Sequence, residues 1–276
     1  MAEVVAAFAA CHAPPLIQRP DVVPAAVRER VFGLYADLGR QLRAARPEAL
    51  VVITNEHLHN FGLANFPAVC IGMSDSYRGP SELWLKIPAH TRSGDAALGE
   101  YLYRAALEAD FDPSFSMDLS LDHGTLIPLH LAEVDPEVPI VPVLFNNVQP
   151  PLPTMRRALQ WGEFIGGALR AYSGLERVAI LAAGGLSHDI GTPNMGAVDE
   201  AFDREFLRLL AGDDPQALVC FAQEHVQAAG NGAEEVRNWI VARGAVGPAP
   251  LDVLLYDAVP EWYVGLAIAR WRMTAI

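Results

Sequence analysis

Cysteine is scarce in this chain, basic residues are outnumbered, and no apolar run is long enough to span a bilayer. The three cysteines of the 276 residues, Cys11, Cys70 and Cys220, are odd in number, far apart and in no C-x-x-C pair. That excludes a disulfide scaffold and points to a reduced, cytoplasmic protein. Twenty Lys+Arg against thirty-three Asp+Glu leave a formal charge of -13, so counterion-release binding to nucleic acid or to an anionic membrane has no source. No stretch reaches the ~18 uninterrupted apolar residues of a membrane span. The start, ending Phe8-Ala9-Ala10-Cys11, faintly resembles a lipoprotein cleavage site, but Glu3 and the absence of Lys or Arg before the apolar run argue against a signal peptide. With 51% hydrophobic and 19% charged residues, the chain is neither disordered nor fibrous, and it can bury a core without a disulfide or structural metal.

What is present is an alternation of strands and helices. Residues 4–10 form a short apolar run that two prolines stop at Cys11-His12-Ala13-Pro14-Pro15. From Pro24, Val27, Val31, Leu34, Leu38 and Leu42 repeat at helical spacing until Arg46-Pro47. Residues 50–54 are β-branched and apolar, and they empty into Asn55-Glu56-His57-Leu58-His59. Further strands are expected at 139–145, 178–183 and 253–256, and helices at 95–109, 127–132, 154–172, 198–210, 215–226 and 234–242. Pro139 and Pro142 confine their strand to an edge or an end. The pattern predicts a single large α/β domain, residues 1–276, with a central, mostly buried mixed sheet flanked by helices. Such sheets place ligands beyond the carboxyl ends of their strands, where His12, His57 and His188 fall.

Several chemistries fail at once. Gly185-Leu186-Ser187-His188-Asp189 puts Asp where the final glycine of a nucleophile elbow must be. Neither a P-loop nor a dinucleotide fingerprint is present. His90, His130 and His225 read as ordinary hydrogen-bonded histidines, leaving His12, His57, His59, His123 and His188. Neutral imidazole is the commonest metal ligand, and two histidines with one carboxylate on one face bind non-heme Fe(II). Gly232-Ala233-Glu234-Glu235-Val236 offers the carboxylate, although acids at a helix start also complement the dipole, so composition leaves Glu234 and Glu235 open. His57-x-His59 past a strand would equally suit a zinc-type metal-dependent hydrolase.

Taken together, Cys11-His12-Ala13-Pro14-Pro15, Asn55-Glu56-His57, Leu121-Asp122-His123-Gly124-Thr125, Gly184-Gly185-Leu186-Ser187-His188 and Gly232-Ala233-Glu234-Glu235-Val236-Arg237-Asn238-Trp239 resemble, in order and spacing, the class III extradiol ring-cleavage dioxygenases, the superfamily that includes protocatechuate 4,5-dioxygenase. The resemblance implies Fe(II) bound by His12, His57 and Glu235, the acid that directly precedes the small apolar residue of the last motif. It implies two histidines that are not ligands: His188 as the base for the catechol proton, and His123 as the acid for O–O cleavage. His59 matches no ligand position and is a candidate to support one. The implied partners are dioxygen and a small catecholic substrate, carboxylated or lignin-derived ones included. The expected assembly is a homo-oligomer, and some members of the superfamily carry a small capping subunit. A carboxylated substrate would call for an Arg that the sequence does not single out, and Phe61, Trp84 and Trp262 are candidates to line a ring pocket or to serve as plain core. A non-catalytic relative of the same fold would have had less reason to keep all five motifs.

Overall fold

In Leu50-Val51-Val52-Ile53 successive side chains enter opposite apolar layers, Leu50 and Val52 on one side of a sheet, Val51 and Ile53 on the other. A strand buried on both faces reads as a continuous apolar run, and this one lies in the middle of an eight-stranded sheet. The computed structural model describes residues 1–273; residues 274–276 of the expected domain lie outside the described residues. Its strands are β1 (Glu3–Ala10), β2 (Ala49–Asn55), β3 (Val69–Gly72), β4 (Ser76–Gly79), β5 (His90–Ser93), β6 (Ser114–Ser116), β7 (Ile140–Phe145), β8 (Arg177–Ala183), β9 (Leu251–Val259) and β10 (Val264–Trp271). Its helices are α1 (Pro15–Gln18), α2 (Ala25–Ala45), α3 (Ala96–Glu108), α4 (His123–Leu131), α5 (Met155–Ala171), α6 (Glu200–Leu210), α7 (Pro215–His225) and α8 (Val236–Val246).

The large sheet runs β6-β3-β7-β2-β8-β1-β10-β9, and β4-β5 form a separate ribbon. The four inner strands β7, β2, β8 and β1 are mutually parallel, while β3 and β10 join them antiparallel, so the sheet is mixed, in agreement with the α/β fold read from the sequence. One apolar layer packs under α3, α5, α7 and α8, the other under α2 and α4. Helix α8 is buried throughout. It lies so close to α5 that a methyl group on Gly162 or Gly166 would sit 2.0 or 2.1 Å from the carbonyl oxygen of Val241 or Ala245. This contact of bare backbone seats α8, whose first turn follows Glu235.

Three expectations are corrected. Strand β7 is interior, not at an edge, despite Pro142. Pro142 pairs with Val52 of β2, whereas pairing with β3 begins only at Val143, and the Pro142 ring abuts Gly72, so no ladder bond is lost there. Helix α4 starts at His123, not 127, because the Asp122 side chain caps it by accepting from the Thr125 N–H at 3.3 Å. The helix expected from 234 starts at Val236, after a 3-10 turn over Gly232–Glu235.

Candidate active site

The carboxyl ends of the four parallel strands open on one edge of the sheet, and their loops carry the site. His12 follows β1, His57 follows β2, Asn147 follows β7 and His188 follows β8. Glu235 arrives from the other direction, on the 3-10 turn that leads into α8. Its Oε1 lies 3.1 Å from His12 Nε2 and 3.6 Å from His57 Nε2, and it accepts from Asn55 Nδ2 at 3.1 Å. Its Oε2 accepts the Gly185 N–H at 2.7 Å. His12, Asn55 and Glu235 are buried, and His57 nearly so.

Each of these groups is held by a second set of side chains. Asp122 accepts from His57 Nδ1 at 2.8 Å, which orients the ring and turns Nε2 toward Glu235. Asn55 is held by Asn238, whose Nδ2 donates to Asn55 Oδ1 at 3.1 Å and to the Ala183 carbonyl at 2.7 Å. Asn147 Nδ2 donates in turn to Asn238 Oδ1 at 2.9 Å, so three buried amides run in a chain behind the carboxylate. His123 lies over His57, ring centroids 3.9 Å apart. Glu82, in the loop between β4 and β5, accepts from His123 Nδ1 at 2.5 Å and from its backbone N–H at 3.0 Å. His188 Nδ1 donates to the Leu186 carbonyl at 2.9 Å, which leaves Nε2 as the ring nitrogen outside that bond.

Electrostatics follow from this packing. Burial alone would raise the Glu235 carboxyl, but the His12 and His57 imidazoles outweigh it and hold the group well below the usual carboxylate range. Burial pulls His57 down, yet Asp122 and Glu235 carry it up to about 10. His123 is pushed down to about 4 by burial and by its neighbour His57, against the pull of Glu82. The buried Cys11 thiol, pushed up to about 12 by burial, stays protonated beside His12.

The structure thus brings His12, His57, His123, His188 and Glu235 around one cavity edge. Glu234 is turned away, its Oε2 accepting from Arg237 Nη1 at 2.6 Å. His59 and His57 face different carboxylates: His59 Nε2 lies 3.2 Å from Glu82 Oε1, so the pair required by a zinc hydrolase is not formed. Trp262 lines the cavity, Trp84 lies 5.9 Å from the His123 ring, and Phe61 packs on Phe66 instead. Glu82, Asn147 and Asn238 received no role from the sequence; for Asp122, the capping position before an apolar helix was a usable signal.

Two imidazole nitrogens and a carboxylate oxygen converge here, and His12 Nδ1 is buried without a hydrogen-bond partner. An ionised carboxylate beside two imidazoles, whose Nε2 protons a bound metal would displace, is a donor set that fits a divalent transition metal. Among the described residues no helix is long and apolar enough to cross a membrane.

Residues 6–267 match the family model described as the catalytic LigB subunit of aromatic ring-opening dioxygenase. The chain is 28% identical to a 2,3-dihydroxyphenylpropionate/2,3-dihydroxicinnamic acid 1,2-dioxygenase of Cupriavidus necator, over 96% of this chain and 94% of that one. It is 31% identical to the protein of the same name from Paraburkholderia xenovorans, over 83% and 88%. A gallate dioxygenase of Pseudomonas putida shares 33% identity over 55% of this chain and 46% of its own. Among solved structures, an uncharacterized protein of Escherichia coli K12 superposes with a TM-score of 0.66 at 14% identity, covering 97% of this chain and all of that one, which establishes likeness of fold. With a family match over nearly its whole length and a His/Glu metal-binding cluster at its strand ends, the chain belongs to the LigB family of metal-dependent aromatic ring-cleavage dioxygenases.

Proposed function

We propose that the chain cleaves a catecholic ring beside its diol with dioxygen, at Fe(II) held by His12, His57 and Glu235. The observation that carries the ligand set is the convergence of His12 Nε2 and His57 Nε2 on Glu235 Oε1. When bound, Fe(II) would acidify the diol and bring it together with dioxygen. The remaining steps fall to the protein. His188, its Nδ1 tied to the Leu186 carbonyl, takes a diol proton on Nε2. His123, with Nδ1 tied to Glu82, has only Nε2 free, so it must receive a proton there before it can return one to the departing oxygen. The second diol proton is the source, and the two histidines together balance the two protons released. The names of the relatives support a vicinal diol on a single ring.

In this reading residues 1–276 are one catalytic domain working in a reduced cytoplasm. Exposed Leu58, Leu83 and Trp84 beside His57 and His123 support a covering chain, either a second copy or a small capping subunit. Protein loaded anaerobically with Fe(II), mixed with a panel of catechols and then exposed to air, tests the function. Oxygen uptake with a yellow ring-fission product is expected; hydrolysis without oxygen uptake, or no reaction with any catechol at full iron occupancy, would overturn it.

A further inference from the structure

The cavity beside the histidines has a volume of about 200 Å³, and its chemistry bears on what the ring carries. His12, His123, His188 and Glu235 stand at one end, where the diol belongs in the reading above. The remaining walls are Ala13, Pro14, Ile190, Met195, Trp262 and Val264, with Tyr263 at the edge. Among the described residues no Lys or Arg lines this space, and the further charged group that does is a carboxylate, Asp189. Arg19 is exposed and does not line the cavity; its guanidinium donates to the Tyr263 hydroxyl at 3.1 Å, and its carbonyl accepts from Trp262 Nε1 at 3.3 Å. A carboxylate on the ring, held away from the diol end, would therefore be desolvated against apolar walls with no Lys or Arg to pair it, and Asp189 would repel it.

Ile190 and Met195 are apolar yet 55% and 47% exposed, on a wall of a site whose other lining residues are buried or half-buried. An apolar substituent projecting from the ring would cover them, and the unbranched thioether of Met195 adapts to its shape. Resting on the dioxygenase reading, we infer that this chain takes an uncharged catechol bearing an alkyl or aryl group and discriminates against carboxylated catechols.

Matched pairs test this with the iron-loaded protein: 4-methylcatechol against protocatechuate, and 3-propylcatechol against 2,3-dihydroxyphenylpropionate. Each pair exchanges a methyl for a carboxylate. Steady-state oxygen uptake and anaerobic calorimetric titration are both read. The uncharged member of each pair should win by about 100-fold in kcat/KM and by at least about tenfold in Kd, the scale of an unpaired buried charge. Ile190→Arg, at an exposed position, should narrow the gap within each pair by about tenfold. Equal or better handling of the carboxylated members would overturn the inference, as would a preference for the propionate that Arg19→Ala abolishes. If no catechol is turned over, the dioxygenase reading fails, while the calorimetric ranking still decides whether the cavity prefers the uncharged ring.

Discussion

Adding one methyl group at Gly232 should disable His188 without touching its chemistry. A Cβ built there lies 2.0 Å from His188 Nε2 and 2.2 Å from Cδ2, against a comfortable separation of about 3.5 Å. The ring must retreat by more than about 1 Å, yet its Nδ1–H is tethered to the Leu186 carbonyl at 2.9 Å and Gly185 closes the other side. Gly232 does not occupy the left-handed region, so alanine adds no backbone strain of its own. A misplacement of that size costs about 100-fold, and complete loss of the base about 10²- to 10⁴-fold. Gly232→Ala should therefore lower kcat by at least about 100-fold while iron content stays at the wild-type level. In a His188→Ala background the methyl meets no ring, and the same substitution should cost less than about twofold further. The four proteins of this cycle are compared by oxygen uptake and metal analysis. Wild-type turnover in Gly232→Ala, or losses that multiply in the double variant, would refute the reasoning.

Asp122→Asn keeps a side chain able to cap α4 but removes the charge that fixes the His57 tautomer, so iron affinity should fall about 10- to 100-fold in chelator competition. Asp203, which accepts from Ser187 N–H, Ser187 Oγ and Tyr256 Oη, is pushed up to about 6 by burial, beyond what those donors offset. A raised carboxyl contributes stability that is complete below its unfolded value near 4 and is lost as pH rises through 6. In urea melts of metal-free protein, the stability of wild type relative to Asp203→Asn should thus drop by about 2 kcal/mol between pH 4 and pH 7. A pH-independent difference would refute the assignment.

The parts legible in the sequence were those with a local signature. Residues 50–54 and 178–183 read as buried parallel strands because both faces meet helices, and the loops beyond them displayed His57 and His188. The short β3 to β6 were not legible: three or four residues are too few to display a period, and β6 pairs only with another short strand. Strand β10 was hidden in the apolar stretch after Trp262 for want of alternation, since its residues are buried on both faces up to Ala269. Glu82 stands 41 residues from the histidine it holds, and Asn238 stands 183 from Asn55. Such contacts are made by topology, so no spacing along the chain announces them.

The ligand set is tested most directly by the iron content of six single variants, measured after identical anaerobic loading and gel filtration. His12→Ala, His57→Ala and Glu235→Ala should emerge essentially free of iron, whereas His123→Ala, His188→Ala and Glu234→Ala should retain about one equivalent per chain. Iron lost from the Glu234 variant but kept by the Glu235 variant, or stripped by removal of His123 or His188, would contradict the account.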